Sequence, residues 1–322
     1  MIRRILGLIQ FGLTLLLTTS AVAAGHPLEL PAPLQAALES LRNGHYQQTL
    51  ESSRSLQESY TGHPLPSLMA AEANWGLIFC QTGHINSSEI WNAATVQASP
   101  FDGAFFQAVE EAIAAAEGMQ EEPDSEALGA FYDGLAHGVR ARLYTLRGEV
   151  VNSGREGKQM RESLLQASAL DNDFRTDADA GLGAYNYYAD VLSPLIKFFR
   201  FFLLIPGGDR ERGLAQLRSA SQNAVLLGPE ARYELAKIYG LREHRPADAL
   251  ALFGNLADHY PDNAIFALSA ALQAERIIDQ DLAADYARKA VQASGQLDAV
   301  CRVRLEAASQ EALHRLLGSE TP

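Results

Sequence analysis

Apolar residues recur along this chain at spacings of three and four, the period of an amphipathic helix, and alternating strand patterns are almost absent. Alanine, leucine and glutamate recur in the same segments. After the N-terminal residues, the most apolar and aromatic stretch covers positions 195–205, where only Lys197 and Arg200 interrupt a run of Phe, Leu and Ile. The pattern predicts an all-α protein whose helical hairpins cover this stretch.

A short turn recurs between the predicted helices. In each copy a glycine stands five residues before a small residue that opens the next helix, and the four copies begin at Gly44, Gly83, Gly148 and Gly208. Glycine can end the first helix in a left-handed conformation, while the small residue lets the second helix pack closely against the first. The recurring turn therefore predicts a repeated helical hairpin.

The clearest copy of the hairpin spans residues 233–263 and follows the A-x3-F-x2-small-x4-P spacing of a tetratricopeptide repeat. The four positions are filled by Ala249, Phe253, Leu256 and Pro261. His244 replaces the turn glycine, and equivalent small residues fall at Ala283 and Gly213. Three consecutive hairpins at this spacing predict an α-solenoid of tetratricopeptide-like repeats.

Three regions are expected along the chain. Residues 1–24 have the layout of a secretory signal peptide, with two arginines before an apolar run that ends in small residues, although an uncleaved membrane anchor is the alternative. Residues 25–122 are predicted to form divergent N-terminal hairpins. Residues 123–322 are predicted to form the tetratricopeptide-like domain, with an apolar insert near 193–208.

The acidic balance of the chain disfavours some classes of partner. With 39 acidic and 26 basic residues, the formal charge is −13 at pH 7, which argues against nucleic-acid binding and against adsorption to an anionic bilayer. The eight histidines lack metal-ligand spacing and no nucleophile motif or phosphate loop occurs, so we expect no enzyme activity, metal or cofactor. Only Asp190, Asp209 and Glu211 could form the carboxylate pocket that an enzyme of the helical-toroid kind would need.

Cys80 and Cys301 are the only cysteines and lie far apart in the sequence. Each belongs to an apolar helical run, which favours two buried thiols. An oxidising compartment would also allow a disulfide between them.

Four motifs resemble those of bacterial tetratricopeptide proteins that are exported or associated with the envelope. They are GLAHGVRA from Gly134, SALDNDF from Ser168, GLGAYNYY from Gly181 and PGGDRERGL from Pro206. The G-x-G-x-Y and G-D-R-E-x-G-L elements are also similar, more distantly, to the eukaryotic inclusion-body-clearance tetratricopeptide family. The resemblance implies an α-solenoid without known catalytic residues. Together with the signal, it implies the periplasm or outer-membrane periphery of a Gram-negative bacterium.

Six residues form the candidate partner-binding site. They are Arg140, Arg142, Tyr185, Asn186, Tyr188 and Asp190. In a tetratricopeptide superhelix the first helix of each hairpin lines the concave surface, where tyrosines could anchor a peptide and arginines could clamp it. The alternative is that the tyrosines are buried in the hairpin core and that Arg140 pairs with a buried carboxylate such as Asp133 or Asp190.

The apolar insert carries a second candidate surface, formed by Phe198, Phe199, Phe201 and Phe202. Three interpretations remain open: a helix that fills the solenoid interior, a contact with another copy or a partner, or an interfacial helix that gives peripheral membrane contact. The predicted function is a non-enzymatic scaffold or adaptor that binds a protein or peptide partner in the envelope. The alternative is a carrier that uses this insert to hold an apolar, lipid-like ligand.

Overall fold

The structure, a computed structural model, describes residues 25–82, 98–191 and 206–318. The described residues form thirteen α-helices and contain no strand. The helices are α1 (Ala32–Arg42), α2 (Tyr46–Ser59), α3 (Pro64–Gln81), α4 (Asp102–Gln120), α5 (Glu126–Leu146), α6 (Val150–Leu170), α7 (Arg175–Val191), α8 (Arg210–Asn223), α9 (Gly228–Leu241), α10 (Pro246–His259), α11 (Ala264–Arg276), α12 (Gln280–Ser294) and α13 (Ala299–Gly318). The predicted signal peptide, the Gly83 turn and positions 195–205 of the apolar insert lie outside the described residues.

The helices pack as consecutive hairpins. Each odd-numbered helix, here termed an A helix, packs against the even-numbered B helix that follows it, and the last A helix, α13, packs against α12. Neighbouring hairpins also touch through their A helices, as α3 does with α5 and α7 with α9. The predicted all-α class and the α-solenoid of tetratricopeptide-like hairpins are therefore confirmed. In the three described ranges, no helix combines the length and apolar character needed to cross a membrane.

Two turn glycines adopt the left-handed conformation predicted for them. Gly44 has a φ of +82° and Gly148 a φ of +70°, and each follows the end of an A helix. His244, which replaces glycine in the fifth hairpin, also has a positive φ, of 52°. For Gly208 the prediction was wrong, since Gly208 is not among the described residues with positive φ. Its small size serves close packing instead, because a Cβ there would collide with the carbonyl oxygen of Asn186.

Ile278 occupies the same turn position in the sixth hairpin, with a φ of +64° and a side chain that is 81% exposed. A β-branched residue is strained in the left-handed region, and an exposed side chain gains little packing to offset that strain. We therefore expect Ile278→Gly to raise the free energy of unfolding by about 0.5–1 kcal/mol, measured by urea unfolding. Ile277→Gly, at a φ of −94°, is the matched control and should bring no gain. Equal gains in both variants would contradict the strain argument.

Three of the four positions predicted from the repeat spacing are buried, and the fourth, Pro261, is exposed in the turn after α10. Ala249, Phe253 and Leu256 are at most 3% exposed. The same burial holds for Ala283, Ala287 and Ala290 of α12 and for Gly213, Leu217 and Ala220 of α8. A Cβ on Gly183 would lie 2.9 Å from the carbonyl oxygen of Gly213, so small residues bring α7 and α8 close together, as the sequence predicts.

The loop between α4 and α5, residues 121–125, coincides with the boundary expected from the sequence. Buried residues on either side of this loop nevertheless belong to one hydrophobic cluster that extends from α1 to α7. The division into domains at residue 122 stays a prediction.

The last helix of the array packs against the second hairpin. Helix α13 contacts α3, and a disulfide joins Cys80 to Cys301, whose Cα atoms are 4.9 Å apart. The prediction of two buried thiols was therefore wrong, although both residues are buried in helices as expected. Their separation of 221 residues hides this contact, because it depends on the curvature of all the hairpins between them.

A second contact, here termed the seam, joins the turn between α1 and α2 to the A helices α9, α11 and α13. Arg42 donates hydrogen bonds to the Glu230 carboxylate at 2.9 and 3.0 Å and to the Leu226 carbonyl oxygen at 2.6 Å. The Asn263 side chain donates to the Arg42 carbonyl oxygen at 2.8 Å, and Asp298 accepts from a backbone N–H of α2 at 3.0 Å. The first hairpin therefore rests on the last three A helices, and the solenoid closes on itself.

A buried carboxylate fixes the loop on which the seam rests. Asp177 of α7 is 1% exposed and accepts hydrogen bonds from the backbone N–H groups of Val225, Leu226 and Leu227, at 2.9, 2.8 and 2.7 Å. Arg42 binds the carbonyl oxygen of the same Leu226. Helix α7, the loop before α9 and the first hairpin are thus joined through these few polar groups.

Candidate binding site

Aromatic and charged side chains from four A helices meet at one place, here termed the Arg142 cluster. Its members are Glu72 and Trp75 of α3, Arg142 of α5, Tyr188 of α7, and Tyr233, Glu234 and Lys237 of α9, together with Tyr46 of α2. All of them except the buried Tyr46 keep part of their surface exposed to solvent. The cluster is therefore a partly exposed polar and aromatic patch on the side of the array that the A helices form.

Arg142 lies at the centre of the contacts in this cluster. Its guanidinium carbon is 4.4 Å from the centre of the Trp75 ring, and it forms an ion pair with Glu72. The Trp75 ring in turn stacks on Phe79, with ring centres 5.0 Å apart and an angle of 10° between the planes. Because 43% of the Arg142 side chain remains exposed, the guanidinium is held in place and still accessible to a ligand.

Helix α9 contributes a hydrogen-bonded acid to the same cluster. The Glu234 carboxylate accepts hydrogen bonds from the Tyr188 hydroxyl at 2.5 Å and from Lys237 Nζ at 2.8 Å. Burial acts to raise the pKa of Glu234, but Lys237, Tyr188 and the charge of Arg142 outweigh burial and hold the pKa below its usual range. Glu234 is therefore ionised and already hydrogen-bonded. The charge of Arg142 on α5 thus stabilises a carboxylate on α9.

Two tyrosine hydroxyls lie close to the same guanidinium. Burial raises the pKa of both Tyr46 and Tyr233, while the positive charge of Arg142 acts to lower it in each case. The Tyr46 ring is packed so closely under α3 that a Cβ on Gly76 would collide with it. Both hydroxyls are therefore protonated at neutral pH and can donate hydrogen bonds.

Hydrogen-bond donors outnumber unused acceptors in the cluster. Trp75 Nε1–H is buried and finds no acceptor within the described part of the chain. A guanidinium carries five N–H groups, of which the Glu72 hydrogen bond uses one. The carboxylates of Glu72 and Glu234 are already paired with cations. The arrangement suits a ligand group that accepts hydrogen bonds, such as a carboxylate or a peptide carbonyl oxygen.

The predicted site residues separate into two groups. Arg142 and Tyr188 belong to the Arg142 cluster, whereas Arg140 lies between α4 and α6 and is 14% exposed. Its guanidinium forms ion pairs with Glu110 and with Glu156, the latter at 2.8 Å. Of the two interpretations open for Arg140, the geometry matches pairing with carboxylates, although the carboxylates are Glu110 and Glu156 rather than Asp133 or Asp190.

A histidine beside Arg140 makes stability depend on pH. Burial alone would lower the pKa of His137, but contacts with Asp133 (3.5 Å) and Glu156 (2.7 Å) raise the pKa to about 9. The fold favours the protonated form, so this contribution is complete below the unfolded pKa of about 6.5 and is lost as the pH rises through about 9.

We expect wild type to exceed His137→Gln in the free energy of unfolding by about 1–2 kcal/mol near pH 6 and by almost nothing near pH 10. Urea unfolding of both proteins across this range would measure the difference. A difference that stays constant with pH would show that the imidazole acts only through packing.

The other three predicted residues serve the fourth hairpin. The Tyr185 hydroxyl donates to the Pro206 carbonyl oxygen at 2.7 Å. The Asn186 side chain donates to Gln216 at 2.7 Å, and Asp190 accepts from a backbone N–H at the start of α8 at 3.2 Å. These contacts join α7 to α8 and to the segment before it, so the three residues help to hold the hairpin that carries Tyr188.

The carboxylates considered for an enzyme have structural contacts as well. Asp209 caps α8 by accepting from the backbone N–H of Arg212 at 2.9 Å, and Glu211 pairs with Arg210. No group of three or more His, Cys, Asp or Glu residues in the described ranges is arranged to hold a metal ion. The four predicted insert residues, Phe198, Phe199, Phe201 and Phe202, lie outside the described residues.

Sequence reasoning missed six members of the cluster: Tyr46, Glu72, Trp75, Tyr233, Glu234 and Lys237. The sequence does contain a usable signal on two A helices, α3 and α9. Trp75 follows Glu72 by three positions and Lys237 follows Tyr233 by four, so each pair shares a helix face. An aromatic residue and a charge on one face of successive A helices is the pattern that would have indicated this surface.

No family model matches the chain, and no curated protein matches it. Among solved structures, the chain is similar to the C-terminal part of a TPR repeat-containing protein from Cytophaga hutchinsonii, with 13% sequence identity and a TM-score of 0.33 over 89% of this chain and 96% of that chain. A likeness at this level carries no argument, so the tetratricopeptide-like assignment rests on the hairpins and their spacing.

Proposed function

We propose that this protein is a non-enzymatic scaffold or adaptor of the bacterial cell envelope that binds a protein or peptide segment at the Arg142 cluster. The observation that carries the proposal is the convergence of four A helices on one accessible arginine, stacked on Trp75 and 43% exposed. Arrays of helical hairpins offer a large preorganised surface, so little conformational entropy is lost when a partner binds.

The chemistry of the cluster indicates what kind of segment would bind. Arginine, tryptophan and tyrosine are the residue types that contribute most at protein interfaces, because they combine apolar area with polar groups. The unused donors of Arg142 require acceptors, while the rings of Trp75 and Tyr233 favour an apolar neighbour. A segment with an acidic side chain next to an apolar or aromatic residue meets both requirements.

Two features support an envelope location. The first 24 residues have the layout of a secretory signal, and disulfides such as Cys80–Cys301 persist mainly in oxidising compartments. The alternative function, a carrier of an apolar ligand, depends on Phe198 and Phe202, which lie outside the described residues. We therefore favour the scaffold.

The test uses two arginines that stand two positions apart. A photo-reactive amino acid placed at Phe266, whose ring centre is 5.5 Å from that of Tyr233, would crosslink partners in cells. Arg142→Ala should lower the recovery of a discrete partner at least tenfold, because an interface arginine commonly contributes about 2 kcal/mol or more. Arg140→Ala, outside the cluster, is the matched control and should retain the partner.

A purified-protein assay completes the test. The same two variants would be titrated with an array of acidic and neutral twelve-residue peptides, after circular dichroism has shown that both are folded. Preferential binding of acidic peptides that is lost only in Arg142→Ala would agree with the proposal. Equal recovery and equal peptide binding by both variants, or none by wild type, would contradict it.

A further inference from the structure

The Arg142 cluster consists of two halves that are distant in the sequence. The N-terminal half comprises Tyr46, Glu72, Trp75 and Arg142. The C-terminal half comprises Tyr188, Tyr233, Glu234 and Lys237. Each half is held by contacts between neighbouring hairpins, such as the ion pair of Arg142 with Glu72 and the hydrogen bond from Tyr188 to Glu234. The position of one half relative to the other depends on the curvature of the array, because small rotations between repeats add along a solenoid.

The disulfide acts on the helix that carries Glu72 and Trp75. Cys80 follows Trp75 by five residues on α3, a distance of about 7.5 Å along the helix axis. Cys80 and Cys301 are both fully buried, and Trp75 packs against the hydrophobic cluster that contains them. That cluster joins α3 to α11 and α13, so the bond fixes α3 against these two helices.

Two kinds of noncovalent contact close the solenoid: the seam, which is polar and partly exposed, and the buried apolar cluster that joins α3 to α11 and α13. At the seam, Arg42 binds a Glu230 side chain that is 43% exposed, and His45 lies 3.3 Å from an Asp262 side chain that is 44% exposed. Exposed ion pairs contribute little to stability in water. The seam therefore contributes little, and the two ends of the array are held mainly at the apolar cluster in which the disulfide lies.

We propose that formation of the Cys80–Cys301 disulfide completes the binding site. In the dithiol form the ends of the array separate part of the time, and the two halves of the Arg142 cluster move apart. On oxidation the two thiols together lose two electrons and two protons to the disulfide of a thiol oxidant, which leaves as a dithiol while the S–S bond forms. The bond then holds both halves of the cluster in contact.

This inference rests on the proposed function only in so far as it concerns binding. Its structural part can be tested without a ligand. The chain has two tryptophans, so Trp91→Phe leaves Trp75 as the only one. Quenching of its fluorescence by acrylamide then measures how accessible Trp75 is to solvent. The comparison is between the oxidised protein and Cys80→Ala/Cys301→Ala, both in the Trp91→Phe background, with helix content checked by circular dichroism.

We expect the Stern–Volmer quenching constant of Trp75 to rise at least twofold without the disulfide, while helix content is retained. Hydrogen exchange in α3 and α13 should accelerate in the same samples. If the alanine variant fails to fold, the reduced Trp91→Phe protein provides the same comparison. Unchanged quenching and unchanged exchange in a folded, disulfide-free protein would overturn the inference.

Binding is the second readout. The acidic peptides that bind the oxidised wild type should bind the reduced protein at least tenfold more weakly. Equal affinity in both redox states would overturn the inference and leave the proposed function intact. If the oxidised protein binds no peptide, the proposed function fails, and the quenching comparison alone decides whether the disulfide assembles the cluster.

Discussion

Asp177→Ala is expected to lower the free energy of unfolding by about 3–5 kcal/mol. The carboxylate is 1% exposed and accepts three backbone hydrogen bonds from the loop before α9. Alanine would leave three N–H groups without an acceptor, and each buried unsatisfied group costs about 1–3 kcal/mol. Urea unfolding monitored by circular dichroism would measure the loss, together with accelerated hydrogen exchange at Val225, Leu226 and Leu227.

Asp209→Ala is the matched control for this effect. Asp209 also accepts a backbone hydrogen bond, but it makes one such bond and is exposed at the N-terminus of α8. Loss of an N-cap of this kind costs about 1 kcal/mol. Similar losses in the two variants would show that burial and the number of bonds do not set the effect.

Removal of the disulfide by Cys80→Ala/Cys301→Ala should lower the free energy of unfolding by about 2–4 kcal/mol. The bond connects residues separated by 221 positions, so it removes many open conformations from the unfolded chain. For a chain of this size the loss corresponds to a melting temperature lower by roughly 3–6 °C. Thermal unfolding with and without dithiothreitol would measure it.

The controls for this experiment are built into the chain. Dithiothreitol should lower the melting temperature of wild type and leave that of the double alanine variant unchanged. Val303→Ala, at a residue of α13 that is 69% exposed, should have almost no effect in either condition. A wild-type melting temperature that does not respond to dithiothreitol after full reduction would contradict the prediction.

The hairpins could be predicted because their signals are local. The turn glycines, the small residues of the packed helix faces and the spacing of Ala249, Phe253 and Leu256 act within about thirty residues. His244 was identified as a turn residue from this register, and its φ of 52° agrees. Ile278 occupies the same place one repeat later, but isoleucine is so rare in the left-handed region that its residue type gives no indication of it.

Closure of the array could not be predicted in the same way. The disulfide and the seam depend on the summed curvature of consecutive hairpins, which no single repeat reveals. A cysteine in an apolar helical run has the same sequence pattern whether or not its partner is nearby. The acceptor role of Asp177 is hidden for the same reason, because its three donors lie almost fifty residues later in the chain.

The candidate site was predicted in part. The sequence analysis predicts that Arg140 and Arg142 act together as clamps, but two positions on an α-helix are about 200° apart around its axis. Arg140 therefore contacts α4 and α6, whereas Arg142 contacts α3. To predict which of the two arginines joins the cluster, one must know which face of α5 packs against α3, and that depends on how the neighbouring helices pack. The sequence does not single out Trp75, because its role depends on the Arg142 guanidinium that stacks on its ring, and that contact joins two different hairpins.

Contact between the first hairpin and the last ones restricts how this protein could vary in length. Open solenoids can gain or lose whole repeats, since each unit touches only its neighbours and the terminal units merely fray. Here the turn at Arg42 must meet Glu230 and Asn263, and Cys80 must meet Cys301. Duplication or deletion of one hairpin would shift both meeting points by a full repeat. The copy number of hairpins is therefore part of the fold itself, and we expect the oxidised chain to unfold as one cooperative unit rather than from its ends.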